Sequence, residues 1–195
     1  MGSKKGILLF ILCIVFQIGS SQVKNEKEER IQLSKFPNTA QELINTLPKQ
    51  CKRLRFYKET DGTKESYETK FKYKKKRYSL EFSNSGIIED IEVTIKVKEL
   101  PKDQKLKLLS YFENTFKSYK FIKIQKQFVY NVSKSASDFV NDVLSQSSQL
   151  AYNLEIIAEV KTDGKRDIKE FTFDPNLKYV KSRILNPTSY EHVLY

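Results

Sequence analysis

The chain has 195 residues, of which 35 are Lys or Arg and 24 are Asp or Glu, so its formal net charge is +11 at pH 7. Hydrophobic residues make up 39% of the sequence and only six residues are glycine, which indicates a folded globular protein rather than a disordered one. The single histidine, His192, excludes a Ser-His-acid triad, a Cys-His pair and a histidine-rich metal site, and the scarcity of glycine leaves no glycine-rich phosphate loop.

The first 21 residues are typical of a secretory signal peptide. Lys4 and Lys5 precede an apolar run at residues 7–16, and small residues follow at positions 19–21. The run is too short to cross a bilayer, which needs about 20 apolar residues. We therefore predict cleavage after Ser21, export to the periplasm or beyond the cell, and no transmembrane segment in the mature chain.

Export leaves Cys51 as the only cysteine of the mature chain, since Cys13 lies within the signal peptide. An intramolecular disulfide is therefore impossible. Because Cys51 follows Leu47 by four residues, we interpret it as a buried extension of a helical apolar stripe. The alternative is a reactive or intermolecular thiol.

Residues 22–35 are rich in charge and are predicted to be a flexible, solvated lead-in. Residues 36–39 then open a first helix, with Thr39 and Glu42 spaced as a capping box, and Pro48 ends it. Alternating apolar and polar residues predict four antiparallel strands after this helix. They lie at residues 54–58, 67–73, 78–82 and 91–97.

The same order of elements is predicted again from residue 100. Leu100-Pro101-Lys102 repeats the opening of the first helix, and an amphipathic helix follows it. Four more strands are predicted at residues 121–128, 154–160, 168–173 and 177–184. An insertion near residues 129–149, with a possible short helix, interrupts this copy, and residues 187–195 form a tail.

These patterns predict an α+β fold with two tandem modules, each a helix packed on a four-stranded antiparallel sheet, at residues 36–99 and 100–186. The chain resembles the PepSY-like group of exported bacterial proteins, which are related in architecture to the β-lactamase inhibitor proteins. The resemblance lies in the helix opening at Phe36-Pro37, the strands at 67–73 and 77–82, the turn at 83–86, and the second copy's strand and turn at 170–177. Leu177 stands where the first copy has Gly86, so we expect the second turn to differ in backbone shape.

The resemblance implies a non-enzymatic protein of the bacterial cell envelope, with an open sheet face that binds another protein or acts in an inhibitor-like manner. Strand parity predicts that Lys70, Lys72, Ser79 and Glu81 lie on this exposed face and form the binding site. The alternative function is carriage of a small apolar molecule between helix and sheet, lined by inward Phe and Tyr residues. We predict no cofactor and no metal site.

Two further functions are weighed against these. Carboxylates cluster along the first sheet and leave paired-acid catalysis open, but strand alternation favours a solvated face. These residues are Glu65, Glu68, Glu81, Glu89, Asp90 and Glu92. The basic run at residues 70–77 is interleaved with aromatic residues, as in proteins that bind single-stranded nucleic acid. Because those rings have the parity of the buried face, we predict core packing and no nucleic acid partner.

Overall fold

The computed structural model describes residues 23–24, 26–147 and 150–185. The predicted signal peptide, the tail at 187–195 and His192 lie outside these residues. Within them, no helix has both the length and the apolar character needed to cross a membrane.

The described residues form ten strands and three α-helices, and from α1 onward these follow the predicted order along the chain. The strands are β1 Val23–Lys24, β2 Glu26–Ile31, β3 Lys52–Asp61, β4 Lys64–Tyr73, β5 Lys76–Ser83, β6 Ile88–Ile95, β7 Ser118–Val129, β8 Asn153–Thr162, β9 Lys165–Phe173 and β10 Tyr179–Leu185. The helices are α1 Asn38–Asn45, α2 Lys102–Thr115 and α3 Ala136–Ser145. Helix α3 is the short helix predicted within the insertion, and Ser135 caps its N-terminus by accepting a hydrogen bond from the Asp138 amide.

All ten strands belong to one sheet. From β2 to β10 each strand pairs antiparallel with the next one along the chain, and β1 pairs in parallel with β10. Since β1 and β2 are separated only by residue 25, the segment 23–31 hydrogen-bonds to both edges of the sheet. The sheet is therefore closed on itself.

Side chains also join the two edges. Arg183 of β10 lies 3.0 Å from Asp61 at the end of β3, and the Lys24 ammonium of β1 lies 2.6 Å from Glu26 of β2 and 3.0 Å from Glu170 of β9. The closed sheet thus has an inner face, which the strands surround, and an outer face, against which the helices pack.

The hydrophobic core lies between the outer face and the helices. Phe112 of α2 is fully buried, with its ring centroid 4.8 Å from that of Phe121 and 5.0 Å from that of Phe171. Phe36, just before α1, makes a similar contact with Phe82, at 6.2 Å. All these residues belong to one continuous apolar cluster, to which α3 also contributes. One cluster indicates one domain.

The prediction of two tandem modules is therefore wrong. Strands β6 and β7, which were assigned to different modules, pair over six residues, from Asp90 with Val129 to Ile95 with Ile124. Alternation predicts which side chains share a face, but it does not decide which strand edges meet. Joining the two halves removes two unpaired edges, whose exposed backbone groups would otherwise be left without partners.

Two local predictions are also wrong. Residues 26–31 of the predicted flexible lead-in form β2, which pairs with β3 in regular register. Leu177 does not change the shape of the second turn, because its φ of +61° lies in the same left-handed region as the +82° of Gly86. The two turns also share a hydrogen bond: the Gly86 amide donates to Ser83 O at 2.9 Å, and the Leu177 amide donates to Asp174 O at 2.9 Å.

Candidate ligand cavity and carboxylate cluster

The four residues predicted as a binding site share the inner face of the closed sheet. Lys70 and Lys72 lie on β4, and Ser79 and Glu81 on β5, where Lys70 pairs with Ser79. Strand parity therefore correctly predicts that these four side chains share one face of the sheet, but that face is not an open surface. Ser79 is only 5% exposed, and Lys70 and Glu81 are partly buried. The predicted exposure is wrong because the sheet closes around this face.

A cavity of about 480 Å³ opens at the end of the sheet where β4 and β6 end and β5 begins. Its walls combine basic and apolar side chains. The basic residues are Arg53, Arg55, Lys70, Lys72, Arg77, Lys96 and Lys123, and the apolar ones are Phe71, Tyr78, Ile95, Val97, Phe121, Ile122 and Ile124. Its size is typical of a small-molecule site.

Most of the cations around this cavity lack an acidic partner. Among the described residues, no carboxylate forms an ion pair with Arg53, Arg55, Lys72 or Arg77. Repulsion from Arg53, together with burial and with Arg77 and Arg55, lowers the pKa of Lys72. Arg53 itself has a φ of +59°, where the register of β3 and β4 shifts. Such a backbone is costly for a residue other than glycine and is common beside functional sites.

Lys70 separates this cavity from a smaller chamber deeper inside the sheet. Its ammonium lies 2.9 Å from the Glu68 carboxylate and 2.6 Å from that of Glu28, and the Ser79 hydroxyl donates to Glu68. Burial alone would raise the pKa of Glu68, but Lys70 and these hydrogen bonds lower it. Glu68 is therefore a permanent anion, and the Lys70 charge is already neutralised.

The inner chamber has a volume of about 50 Å³ and is lined by residues from nine of the ten strands. Its wall is predominantly acidic, with seven carboxylates and three lysines. The carboxylates are Glu26, Glu28, Glu59, Glu68, Glu81, Glu92 and Glu170, and the lysines are Lys24, Lys70 and Lys123. An acidic interior in a chain of net charge +11 is the most unusual feature of this fold.

The carboxylates of the inner face differ in how well their charge is compensated. Burial would raise the pKa of Glu170, but Lys24 and Arg183 outweigh it and lower this pKa to about 2. Glu59 and Glu155 lack such compensation. Burial raises the pKa of both groups well above the usual range. Repulsion from Glu68 adds to this effect at Glu59, and repulsion from Glu92 adds to it at Glu155.

One carboxylate trio on the inner face forms no ion pair with a lysine or arginine among the described residues, although Lys64, which pairs with Glu89, attracts Asp90 and Glu81 from farther away. One oxygen each of Glu81, Asp90 and Glu92 lies within 4.8 Å of the other two. Asp90 accepts a hydrogen bond from Gln127 at 3.0 Å, and Glu92 accepts one from Gln125. Burial and repulsion from Glu92 raise the pKa of Asp90 to about 8, and burial and repulsion from Asp90 raise that of Glu81.

Strand alternation indicates that these carboxylates cluster, but the surroundings predicted for them are wrong. Glu68, Glu81, Asp90 and Glu92 do not form a solvated face, since all but Glu81 are buried and Glu81 is half-buried. Glu65 and Glu89 are paired with Lys58 and Lys64 outside the chamber. The sequence does contain a signal for this cluster, because Glu68, Glu81 and Glu92 have matching parity on three consecutive strands. Only the closure of the sheet, however, shows that their side chains lie together in a buried chamber.

The remaining predicted contacts concern the aromatic residues and Cys51. Phe71 and Tyr78 are buried with their rings stacked 5.4 Å apart, so the aromatic residues of the basic run do pack into the core. Cys51 is partly buried against the same core, and burial raises the pKa of its thiol. The higher pKa favours the packing interpretation over a reactive thiol.

No family model and no curated protein sequence matches the chain. Several solved structures do share its fold. A DUF2874 family protein from Bacteroides ovatus has a TM-score of 0.51 at 10% identity, covering 80% of this chain and 96% of its own. A protein from Bacteroides eggerthii described as periplasmic has a TM-score of 0.50 at 9% identity, covering 76% of this chain and 88% of its own.

A third solved structure is a BLIP-like protein from Bacteroides fragilis. It has a TM-score of 0.47 at 9% identity, and the match covers 76% of this chain and 86% of that protein. The predicted likeness to β-lactamase inhibitor proteins stays a prediction. The likeness to PepSY proteins stays a prediction, and the periplasmic neighbour agrees with the predicted export.

Proposed function

We propose that this protein is an exported, periplasmic binding protein for a small anionic ligand with an apolar body, and that it has no catalytic role. The observation that carries the proposal is the set of four cations without acidic partners at the mouth of the 480 Å³ cavity. The predicted signal peptide and the periplasmic neighbour support the location.

The charge of the cavity selects an anion. Arg53, Arg55, Lys72 and Arg77 repel one another, and the lowered pKa of Lys72 records that repulsion. A carboxylate or phosphate placed among them relieves the repulsion and accepts charge-assisted hydrogen bonds from the guanidinium groups. Because Arg53, Arg55 and Arg77 are exposed, the ligand's anionic group reaches them from solvent.

The cavity walls select the rest of the ligand. Phe121 and Ile122 are only partly buried, where the register of β7 shifts against β8, and they line the cavity together with Val97. An alkyl or aromatic group that covers them removes apolar surface from water, which contributes about 25 cal/mol for each Å². A purely inorganic anion forgoes this gain.

The two functions predicted from the sequence fit the geometry less well. A protein partner on the wet sheet face needs that face to be open, whereas Ser79 is buried and Lys70 is held by Glu28 and Glu68. A ligand between helix and sheet needs space there, yet Phe82 and Phe112 fill this layer without exposure. The carrier hypothesis is therefore retained with its site moved to the cavity inside the sheet.

Calorimetric titration of the mature chain with three ten-carbon probes tests this proposal. We expect decanoate to bind, decanol to bind at least about tenfold more weakly, and decyltrimethylammonium to show no binding, since a hydrogen bond to a charged group contributes about 1.5 to 3 kcal/mol and about 1.4 kcal/mol is a tenfold change in affinity. The double variant Lys72→Ala, Arg77→Ala is expected to weaken decanoate binding more than decanol binding.

The control is Lys107→Ala, which removes an exposed lysine of α2 that is remote from the cavity. It should leave the decanoate affinity unchanged. Equal affinity for decanoate and decanol, or equal loss in the control and in the double variant, would refute an anion site at this cavity.

A further inference from the structure

The Glu81, Asp90 and Glu92 trio differs from every other group of acids inside the sheet. Glu26, Glu28 and Glu59 also bring one oxygen each within 4.8 Å of one another, but Lys24 pairs with Glu26 and Lys70 with Glu28. Among the described residues, no lysine or arginine forms an ion pair with any member of the first trio. The side-chain hydrogen bonds of this trio come from the neutral amides of Gln125 and Gln127 and, at Glu92, from the neighbouring carboxyl group of Glu155.

A second observation is that one oxygen of the trio has no donor at all. Asp90 is only 8% exposed, its Oδ2 accepts from Gln127, and no described group donates to its buried Oδ1. Glu81 lies directly across the strand pair from Asp90 and has no hydrogen-bond donor or ion-pair partner among the described residues. Buried carboxylate oxygens without donors are costly, so their retention points to a cation that is part of the working protein.

We propose that Glu81, Asp90 and Glu92 bind a divalent cation of the calcium class inside the closed sheet. All the ligands the trio offers are carboxylate oxygens, which Ca²⁺ prefers and which soft metals do not. This site is separate from the basic cavity, and the proposal does not depend on the anionic ligand.

The dimensions suit calcium. With Ca–O bonds of about 2.3 to 2.6 Å, two ligands on opposite sides of the ion lie about 4.6 to 5.2 Å apart. Because the trio's oxygens lie within 4.8 Å of one another, small side-chain rotations are enough for one Ca²⁺ to contact all three without moving the strands. Glu81 and Glu92 also line the 50 Å³ chamber, which has room for water molecules to complete the coordination shell.

Strand geometry holds the trio in place. Glu81 pairs with Asp90 between β5 and β6, and Glu92 follows Asp90 by two residues, so all three point to the same face. Gln125 and Gln127 fix the carboxylates of Glu92 and Asp90 from β7 and leave Glu81 free to rotate toward the ion. Three ligands from two paired strands form a site that is largely in place before the ion arrives.

The test is titration of the metal-free mature chain with CaCl₂ at pH 7.5, followed by calorimetry and by thermal unfolding. We expect one Ca²⁺ per chain and a rise of several degrees in Tm at saturation, with Mg²⁺ at least about tenfold weaker because it gives up its water molecules reluctantly. Glu81→Gln and Asp90→Asn should each weaken Ca²⁺ binding at least about tenfold, whereas Glu42→Gln, an exposed acid of α1, should not.

The same thermal unfolding measurement shows whether the variants are folded. Since each substitution removes one of three crowded like charges, Glu81→Gln and Asp90→Asn should have a Tm without calcium equal to or above that of the wild type. They should then lose the increase that calcium produces. The site would be overturned if millimolar Ca²⁺ produced no heat and no Tm shift in the wild type, or if both variants bound Ca²⁺ as the wild type does. Either result would mean that protons alone neutralise these acids.

Discussion

The Thr39 hydroxyl of α1 donates hydrogen bonds to the backbone carbonyls of Ser85 and Gly86, each at 3.2 Å. Thr39 was predicted to cap its own helix, but α1 begins at Asn38 and this side chain instead ties the helix to the turn between β5 and β6. The contact places Gly86 so close to α1 that a methyl group on it would lie 2.6 Å from Pro37 Cβ and closer still to Thr39 Oγ1.

Gly86→Ala is therefore expected to destabilise the protein by about 3 kcal/mol. About 1 kcal/mol comes from the left-handed φ of +82°, and the rest comes from pushing α1 away from the sheet. Gly164→Ala is the matched control, because its φ of +83° is the same but nothing lies near the added methyl group. Urea unfolding should give a loss of only about 1 kcal/mol for the control, and equal losses at the two glycines would contradict the tight contact.

The charge network at the closing edge predicts a pH dependence. The Glu170 pKa is lowered to about 2 by Lys24 and Arg183 and is near 4.5 when the chain unfolds. Its ionisation therefore contributes roughly 3 kcal/mol of stability above pH 4.5, and this contribution is lost as the pH falls towards 2. We expect Glu170→Gln to lower the unfolding free energy by roughly that amount at pH 7 and by less than half of it at pH 3.

Urea titrations of both proteins at several pH values measure this difference. Arg166→Gln is a suitable control, since Arg166 lies on β9 as Glu170 does, and its ion pair with Glu159 of β8 is much more exposed to solvent than that of Glu170. Its effect should stay within about 1 kcal/mol at every pH. A Glu170→Gln effect that is the same at pH 3 and pH 7 would show that the carboxylate is not held as an anion by its cationic neighbours.

The local pattern of apolar and polar residues is sufficient to predict most of the helices and strands of this fold. It is insufficient to predict that the sheet closes and encloses an interior. The order of helices and strands and the buried side of each strand follow from the period of apolar residues, as for Phe71 and Tyr78. Closure depends on pairs such as Lys24 with Glu170, which are 146 residues apart and carry no periodic signal. Without closure, an inward glutamate such as Glu81 cannot be distinguished from a solvated one, and the cation-lined cavity cannot be recognised.

The Cys51 thiol gives a simple test of the core boundary. Since burial raises its pKa, the thiolate population at pH 8 is smaller in the folded protein than in the unfolded chain. Iodoacetamide should therefore modify Cys51 more slowly under native conditions than in concentrated urea. Mass spectrometry after timed quenching measures the two rates, and equal rates would indicate an exposed, reactive thiol.

The closing strand should be essential for stability and should prevent the sheet edges from pairing with other chains. Deleting residues 22–31 removes the hydrogen bonds of β2 to β3 and leaves Glu170 without Lys24 and Lys70 without Glu28. Losing one partner of a buried ion pair costs about 3 to 5 kcal/mol, and two long sheet edges become open to other chains. We expect urea unfolding to show a loss of at least about 3 kcal/mol in the free energy of unfolding, and light scattering to show association.

The control is Glu29→Ala, which changes an exposed residue of the same strand and should cause neither effect. A truncated chain that is equally stable and does not associate would show that the sheet does not need this segment to close.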